Sequence, residues 1–235
     1  HYRSVIGKLN FLEKSTRGEL AHALHQCARF STSPKVSHAE AVKYIGRYLH
    51  RTKDEGIIFD PKDHSFECWV DADFCGGWDP ATAEHDSTTA RSRTGYVIKY
   101  AGCPIIWQSR LQTDTALSTH EAEYIALSTA LREVITMMQI LEEAKAQGIE
   151  GIITKPEIHC KAFEDNTSVI DVATMPKMKP RTRTLNVKYH HFRDYVFQGK
   201  ISIHAVRTQD QQGDLFTKNT PLDLFCKFRK LIFGW

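Results

Sequence analysis

The stretch Ser65-Phe-Glu-Cys-Trp-Val-Asp71 marks the point where the character of this sequence changes. Its mixture of aromatic, apolar and polar residues predicts a β-strand, and the aspartate that ends the run places a carboxylate at the end of that strand. Residues 1–56 before it have helical periodicity, whereas short β-rich runs follow it. This strand therefore predicts a sheet protein with polar chemistry at one end of its strands.

The rest of the sheet is predicted from four more β-rich runs and one long helix. The runs lie at residues 95–100, 104–108, 157–163 and 201–206. The first two form a hairpin that turns at Ala101-Gly102. The long helix extends from Ser118 to Gly148, because glycine often follows the last turn of a helix, and another helix is predicted near residues 187–197. This order predicts an α/β protein with a mixed sheet flanked by helices.

Residues 1–56 predict three amphipathic helices without convergent polar chemistry. Apolar residues recur with helical spacing in residues 5–12 and again in residues 20–28. Ser37 and Glu40 have the spacing of a capping box, which predicts the start of the third helix. We interpret this region as a packing segment.

The overall composition excludes several classes of protein. Of the 235 residues, 41% are hydrophobic and 25% are charged, as is typical of a packed domain, and the net charge of +3 does not by itself indicate a nucleic-acid partner. No apolar run approaches the roughly 18 to 20 residues that span a bilayer, and the six cysteines include no C-x-x-C pair. We expect a soluble intracellular protein with reduced cysteines. Because the chain starts at His1, we also expect it to be part of a longer polypeptide.

Four acidic residues occur where such a sheet could gather them, at the ends of two strands, in the first turns of the long helix and after the last strand. They are Asp71, Asp165, Glu123 and Asp214. Carboxylates without histidine or thiolate partners suit hard cations such as Mg²⁺. Two such ions can activate a water and stabilise the leaving oxygen in phosphodiester hydrolysis. On spacing alone, a second interpretation stays open, in which these aspartates only cap helices and form turns.

Five short runs resemble one known family. They are Trp69-Val-Asp-Ala-Asp-Phe-Cys-Gly76, Ser92-Arg-Thr-Gly-Tyr96, Ala116-Leu-Ser-Thr-His-Glu-Ala-Glu-Tyr-Ile-Ala-Leu127, Glu164-Asp-Asn-Thr-Ser168 and Gly213-Asp-Leu-Phe-Thr-Lys218. In order and spacing they resemble the RNase H region of copia-type LTR retrotransposon polyproteins. Residues 2–12 and 41–49 resemble the segment that joins the reverse transcriptase of these elements to its RNase H. The resemblance covers nearly the whole chain.

The resemblance implies an RNase H-like fold, in which a five-stranded mixed sheet is flanked by helices and preceded by a small helical segment. Residues 1–56 would be the connecting segment that follows the reverse transcriptase, and residues 57–235 would be the RNase H domain. The implied activity is divalent-metal-dependent, endonucleolytic hydrolysis of the RNA strand of RNA/DNA hybrids during reverse transcription. The implied partners are the RNA/DNA hybrid and a covalently linked reverse transcriptase domain. No association with a membrane is implied. The implied location is the cytoplasm, in virus-like particles.

Four residues take the catalytic positions of the family, which are also its metal-binding positions. They are Asp71, Glu123, Asp165 and Asp214, and they would hold two Mg²⁺ ions, for which Mn²⁺ can substitute. Asp73 ranks second to Asp71 at the first position. Glu123 is preferred to Glu121, because Glu121 has capping-box spacing from Ser118 and Glu123 points away from it on the helix.

Two groups of residues are candidates for nucleic-acid binding. One is the basic group Lys177, Lys179, Arg181 and Arg183, and the other is Ser118, Thr119 and His120 at the start of the long helix. A solvated charged loop and a helix cap are the alternative interpretations of these groups. The loop before Asp214 lacks the mobile histidine that cellular RNases H use, and we interpret the nearby His204 as structural.

Two other functions remain as alternatives. The first is a non-catalytic connection module that retains the fold and binds nucleic acid or a polymerase partner. The presence of all four acids weighs against it, since such modules lose them. The second is a nuclease of the same fold acting on another substrate, such as a DNA resolvase or integrase, and the five family-like runs weigh against that one.

Overall fold

The computed structural model describes residues 1–81, 84–149, 158–176 and 187–235. Within these ranges five strands form one sheet: β1 (Phe66–Asp73), β2 (Arg93–Tyr100), β3 (Cys103–Leu111), β4 (Cys160–Glu164) and β5 (Ile201–Ala205). Their order is β3-β2-β1-β4-β5. The pairs β1–β2 and β2–β3 are antiparallel, whereas β1–β4 and β4–β5 are parallel. The predicted five-stranded mixed sheet is confirmed.

Helices flank the sheet in the same described ranges. They are α1 (Tyr2–Ser15), α2 (Ala21–Ala28), α3 (Val36–Arg51), α4 (Thr119–Ala146), α5 (Thr167–Thr174), α6 (Arg193–Phe197), α7 (Asp214–Thr217) and α8 (Leu222–Phe233). None of these described helices has both the length and the apolar character needed to cross a membrane.

The helix predicted at residues 187–197 is wrong as one continuous element. The chain instead forms a 3-10 turn at Val187–His190, and α6 begins only at Arg193. Tyr189 and Phe192 are both buried in the core, and His190 Nδ1 lies 2.7 Å from the hydroxyl of Tyr124 on α4. Residues at these three positions would spread over nearly half the circumference of a regular helix, so the break lets all of them reach the same layer.

The hairpin of β2 and β3 turns where the sequence predicts. Ala101 and Gly102 both have positive φ, of 56° and 81°. Two consecutive residues with positive φ are typical of the two-residue turn whose twist matches a β-hairpin.

Alternation along β1 separates two apolar layers. Phe66, Cys68 and Val70 are buried between the sheet and α4. Trp69 packs on the opposite face, against a cluster that includes residues of α7 and α8. Asp71 is two residues beyond Trp69 and therefore shares its face, on the α7 side of the sheet.

Three helices at the start of the chain form their own apolar cluster, but one predicted boundary is wrong. Ile6, Leu24 and Ile45 are buried together where α1, α2 and α3 meet. The third helix starts at Val36 and is capped by Lys35, not by Ser37 as the spacing predicted. The reason is local: His38 Nδ1 accepts the Lys35 N–H at 3.0 Å, while the carboxylate of Glu40 pairs with Lys43 at 2.6 Å.

These first helices also pack tightly on the sheet. The indole N–H of Trp107, on β3, donates to Glu13 Oε1 at 3.1 Å. A Cβ at Gly18 would lie only 2.6 Å from Phe233 of α8, so the chain passes against that ring at van der Waals distance. Arg17 places its guanidinium 5.0 Å from the ring centre of Trp235. The division of the chain at residue 56 stays a prediction, with extensive contacts across it.

Candidate active site

Three of the four predicted acids meet at one end of the sheet. Asp71, Glu123 and Asp165 each offer a carboxylate oxygen, and these oxygens lie within 4.8 Å of one another. Asp71 comes from β1, Asp165 follows β4, and Glu123 lies in the second turn of α4. Because β1 and β4 are adjacent parallel strands, their carboxyl ends open at the same edge of the sheet.

The fourth acid reaches this cluster from α7. Lys218 Nζ lies 2.8 Å from Asp214 Oδ1 and 3.8 Å from Asp71 Oδ2, so these two carboxyl groups face the same ammonium. Thr217, also on α7 and fully buried, donates its hydroxyl to Asp71 Oδ2. The structure therefore brings all four predicted acids together, although their roles stay predictions.

Two glycines allow α7 to lie directly on the sheet. Gly95 is the cross-strand partner of Asp71, and a Cβ there would lie 2.6 Å from Thr217 Cγ2. A Cβ at Gly213 would lie 2.8 Å from the backbone nitrogen of Asp71. Both distances are too short for any side chain, so this close approach requires glycine at both positions.

The start of α4 separates a structural acid from a site acid. Ser118 caps the helix by accepting the Glu121 N–H at 3.1 Å, and Glu121 Oε2 accepts the Leu117 N–H at 2.9 Å. Glu121 is therefore occupied at the helix start, as its spacing predicted. Glu123 points the other way and is only 5% exposed.

Burial makes the site electrostatically costly without a cation. Burial, followed by the nearby carboxylates, raises the pKa of Glu123 to about 11. Burial and Asp71 raise the pKa of Asp214 to about 7. Burial likewise raises the pKa of Asp71 above its ordinary value. Each shift means that burial and neighbouring carboxylates outweigh the groups that favour the ionised form.

The donor set fits a hard divalent cation. It consists of carboxylate oxygens, the ligands that Mg²⁺ and Mn²⁺ prefer. Glu123 Oε2 is buried and has no hydrogen-bond partner among the described residues. A buried carboxylate oxygen normally has a partner, so this oxygen is available as a ligand. Asp71, Glu123, Asp165 and Asp214 could together hold such ions.

Sequence reasoning missed three residues at this site. Lys218 Nζ lies 2.8 Å from Asp214 Oδ1, and Thr217 contacts Asp71 as described above. Glu164 is fully buried, and burial raises its pKa well above the ordinary value. The runs 164–168 and 213–218 contain all three residues, but the resemblance indicates only the aspartate of each run as a ligand. Strand alternation along β4 could have indicated an inward-pointing Glu164.

Burial alone would lower the pKa of Lys218, but its acidic neighbours outweigh this effect. Asp71 and Asp214 together raise that pKa above the ordinary value of lysine. Lys218 is therefore a charged ammonium at neutral pH, placed beside two of the four acids.

The predicted nucleic-acid contacts are only partly open to description. Lys177, Lys179, Arg181 and Arg183 lie outside the described residues. Ser118 and Thr119 are exposed and His120 is half-buried, at the same end of α4 as Glu123. Their contact with nucleic acid stays a prediction.

The loop before Asp214 and the nearby histidine have structural contacts. Gln211 is fully buried and donates its amide to the Phe163 carbonyl at 3.3 Å. His204 lies within β5, and its Nε2 is 2.7 Å from the Ser202 hydroxyl. These contacts agree with a structural interpretation of His204.

The sheet order and strand directions, with a long helix across one face and acids at one edge, define a ribonuclease H-like fold, which confirms the fold expected from the resemblance. Among solved structures, a ribonuclease H1 isolated from compost by a metagenomic approach covers 66% of this chain and 94% of its own, with 14% identity and a TM-score of 0.41. No protein-family model matches the chain.

Curated relatives give the family. The retrovirus-related Pol polyprotein from transposon TNT 1-94 of Nicotiana tabacum is 32% identical over 231 residues, which are 98% of this chain and 16% of that polyprotein. The corresponding polyprotein from transposon RE1 of Arabidopsis thaliana is 28% identical over 232 residues, 98% of this chain and 15% of its own length. The chain belongs to the family of copia-type retrotransposon Pol polyproteins, and it spans about one sixth of the length of these relatives.

Proposed function

We propose that this chain is a ribonuclease H that hydrolyses the RNA strand of RNA/DNA hybrids with divalent cations. Asp71, Glu123, Asp165 and Asp214 would be its catalytic and metal-binding residues. The observation that carries the proposal is the convergence of three carboxylate oxygens within 4.8 Å at a buried sheet edge. The fourth carboxyl group, that of Asp214, lies against the same Lys218 ammonium as the first, that of Asp71.

The chain contributes a largely buried set of ligands. Thr217 fixes one oxygen of Asp71 through its hydroxyl, and Glu123 is buried beside it. Two divalent ions, when bound, would activate a water and stabilise the leaving oxygen of the phosphodiester. Because the ligands already lie in place, little reorganisation would accompany binding.

The choice of hybrid as substrate rests on the family and on position. The start of α4 presents Ser118, Thr119 and His120 on the same turns that carry Glu123. Polar groups at such a place can contact the 2′-hydroxyls that distinguish RNA from DNA. The basic group 177–183 would contact phosphates of either strand.

The proposal extends to the context of the chain. In the native polyprotein it would be covalently linked to a reverse transcriptase domain and would degrade the RNA template during reverse transcription. Its location would be intracellular, in cytoplasmic virus-like particles. A non-catalytic connection module remains the second candidate function, and the four buried acids disfavour it because unpaired buried carboxylates destabilise a fold that does not use them.

The test is a cleavage assay with a hybrid labelled on its RNA strand. We expect cleavage with Mg²⁺ or Mn²⁺, no cleavage in chelator, and none of duplex DNA. Asp165→Asn should abolish cleavage because it removes a ligand, whereas Glu121→Gln should retain most activity because glutamine can still accept the Leu117 N–H. Full activity of Asp165→Asn would contradict the proposed site, and a folded wild-type chain without activity would favour the connection module.

A further inference from the structure

Lys218 is a cation inside the acidic cluster that the proposed hydrolysis does not use. Its Nζ lies 2.8 Å from Asp214 Oδ1 and 3.8 Å from Asp71 Oδ2. The side chain is 41% exposed, so it has room to move away from these carboxylates. The ammonium therefore supplies positive charge where buried acids otherwise lack it.

The backbone of Lys218 is held by a helix from the start of the chain. The imidazole of His22, on α2, is buried and lies beside the backbone of Lys218. Burial lowers the pKa of His22 to about 4, so the ring is neutral at pH 7 and adds no charge. Ala21 packs in the same apolar cluster as Leu215 and Phe216 of α7. The helix α2 thus fixes the segment from which Lys218 extends.

We propose that Lys218 is a built-in counter-cation of the acidic cluster and that His22 holds it there. This inference rests on the proposed function, because it takes the cluster to bind divalent ions. The ammonium stabilises the cluster when no divalent ion is bound, and it opposes the binding of one. The helices of residues 1–56 thereby tune the cation affinity of a site whose ligands all lie in residues 57–235.

The physical basis is competition for the same negative charge. An ammonium within 4 Å of two carboxylates reduces the potential that attracts a divalent ion, and it repels that ion directly. Because Lys218 is partly exposed, solvent and salt weaken the effect. We expect removal of the charge to tighten divalent-ion binding about tenfold at low ionic strength, and less at high salt.

The test measures Mn²⁺ binding to the whole folded chain by titration calorimetry, without nucleic acid. Lys218→Met should bind Mn²⁺ about tenfold more tightly than the wild type, and Lys218→Arg should bind like the wild type because it keeps the charge. Lys227→Met is the matched control, because Lys227 has the same 41% side-chain exposure and pairs at 2.6 Å with Asp210, which is not one of the four acids. It should leave Mn²⁺ affinity unchanged.

Thermal melting gives a second measurement. In chelator, Lys218→Met should melt below the wild type, and saturating Mn²⁺ should raise its melting temperature by more than it raises that of the wild type. Equal or weaker Mn²⁺ binding by Lys218→Met would overturn the inference.

A double-mutant cycle tests the positioning role of His22. His22→Leu should tighten Mn²⁺ binding in the wild-type background and have no effect in the Lys218→Met background. His22→Gln, which keeps a donor for the Lys218 backbone, should bind Mn²⁺ like the wild type. An equal effect of His22→Leu in both backgrounds would mean that His22 does not act through Lys218, and would overturn its role.

The outcomes separate this inference from the proposed function. A wild-type chain that binds Mn²⁺ but cleaves no hybrid would contradict the ribonuclease activity and leave the binding argument intact. A chain that cleaves hybrid while Lys218→Met shows unchanged Mn²⁺ affinity would contradict only the counter-cation. A wild-type chain that binds no Mn²⁺ would contradict both.

Discussion

Replacing Gly95 by alanine tests whether the contact between α7 and the sheet assembles the site. The added Cβ would lie 2.6 Å from Thr217 Cγ2, 2.7 Å from Phe216 Cβ and 2.8 Å from the Phe216 carbonyl carbon. Since carbon atoms pack at about 3.5–4.0 Å, α7 must move away by about 1 Å. This shift would carry Asp214 and Lys218 away from Asp71, because Asp214 begins α7 and Lys218 directly follows it, whereas Asp71 stays on β1.

The expected effect of Gly95→Ala is larger on activity than on stability. Overpacking of this kind destabilises by about 1–3 kcal/mol, which lowers the melting temperature of a chain of this size by about 2–12 °C. A displacement of about 1 Å at a catalytic group can cost about a hundredfold in rate. Hybrid cleavage at saturating Mg²⁺ measures the second effect, and urea unfolding measures the first.

Gly46→Ala is the matched control. Gly46 lies inside α3, and a Cβ there would meet nothing within 4 Å. Alanine should therefore stabilise the helix by about 0.5–1 kcal/mol and leave cleavage unchanged. The reasoning would be refuted if Gly95→Ala retained wild-type cleavage and melting temperature, since α7 would then not need its close approach to β2.

Three further predictions concern other parts of the chain. Glu123→Gln should abolish both hybrid cleavage and calorimetric Mn²⁺ binding, while Glu121→Gln should keep both, because only Glu123 faces the acids. Burial lowers the pKa of Lys99 from 10.5 to about 8. Between pH 8 and 10.5 the unfolded chain therefore binds more protons than the folded chain, so the buried ammonium destabilises the fold less and less as pH rises. Lys99→Met should therefore be more stable than the wild type at pH 7, by up to about 3 kcal/mol, and urea unfolding should show this difference shrinking from pH 8 to 10.5; a pH-independent difference would contradict it. Trp107→Phe should lower the melting temperature by more than the loss of ring area explains, because it leaves the buried Glu13 carboxylate without its indole donor.

Local patterns were sufficient for most of the elements. The run 65–71 predicted β1, and the Ala101-Gly102 pair predicted the hairpin, because strand alternation and turn chemistry depend on neighbours within a few residues. Two local predictions were wrong where another side chain competed. Lys35 rather than Ser37 is the N-cap residue of α3, because the His38 side chain accepts the Lys35 N–H. The predicted helix at 187–197 is interrupted where His190 contacts Tyr124 of α4.

The sequence was sufficient to identify the four acids, because each lies in one of the five runs that resemble the RNase H region of copia-type retrotransposons. Their residue types and positions at element ends already indicated oxygen ligands for a hard cation. The choice of Glu123 over Glu121 also followed from the sequence, since helical geometry and capping spacing separate the two.

Only the tertiary structure decided what surrounds these acids. Residues 71, 123, 165 and 214 are distant in the chain, and the sheet order and the approach of α7 over Gly95 bring them together. The positions of Thr217, Lys218 and His22 depend on that same packing. Contacts between elements that are distant in the chain do not appear in the residue pattern of any single element. The sequence by itself therefore determined most of the elements and which acids are candidates, because these depend on near neighbours in the chain. Long-range packing decided which residues surround the acids and shift their pKa values.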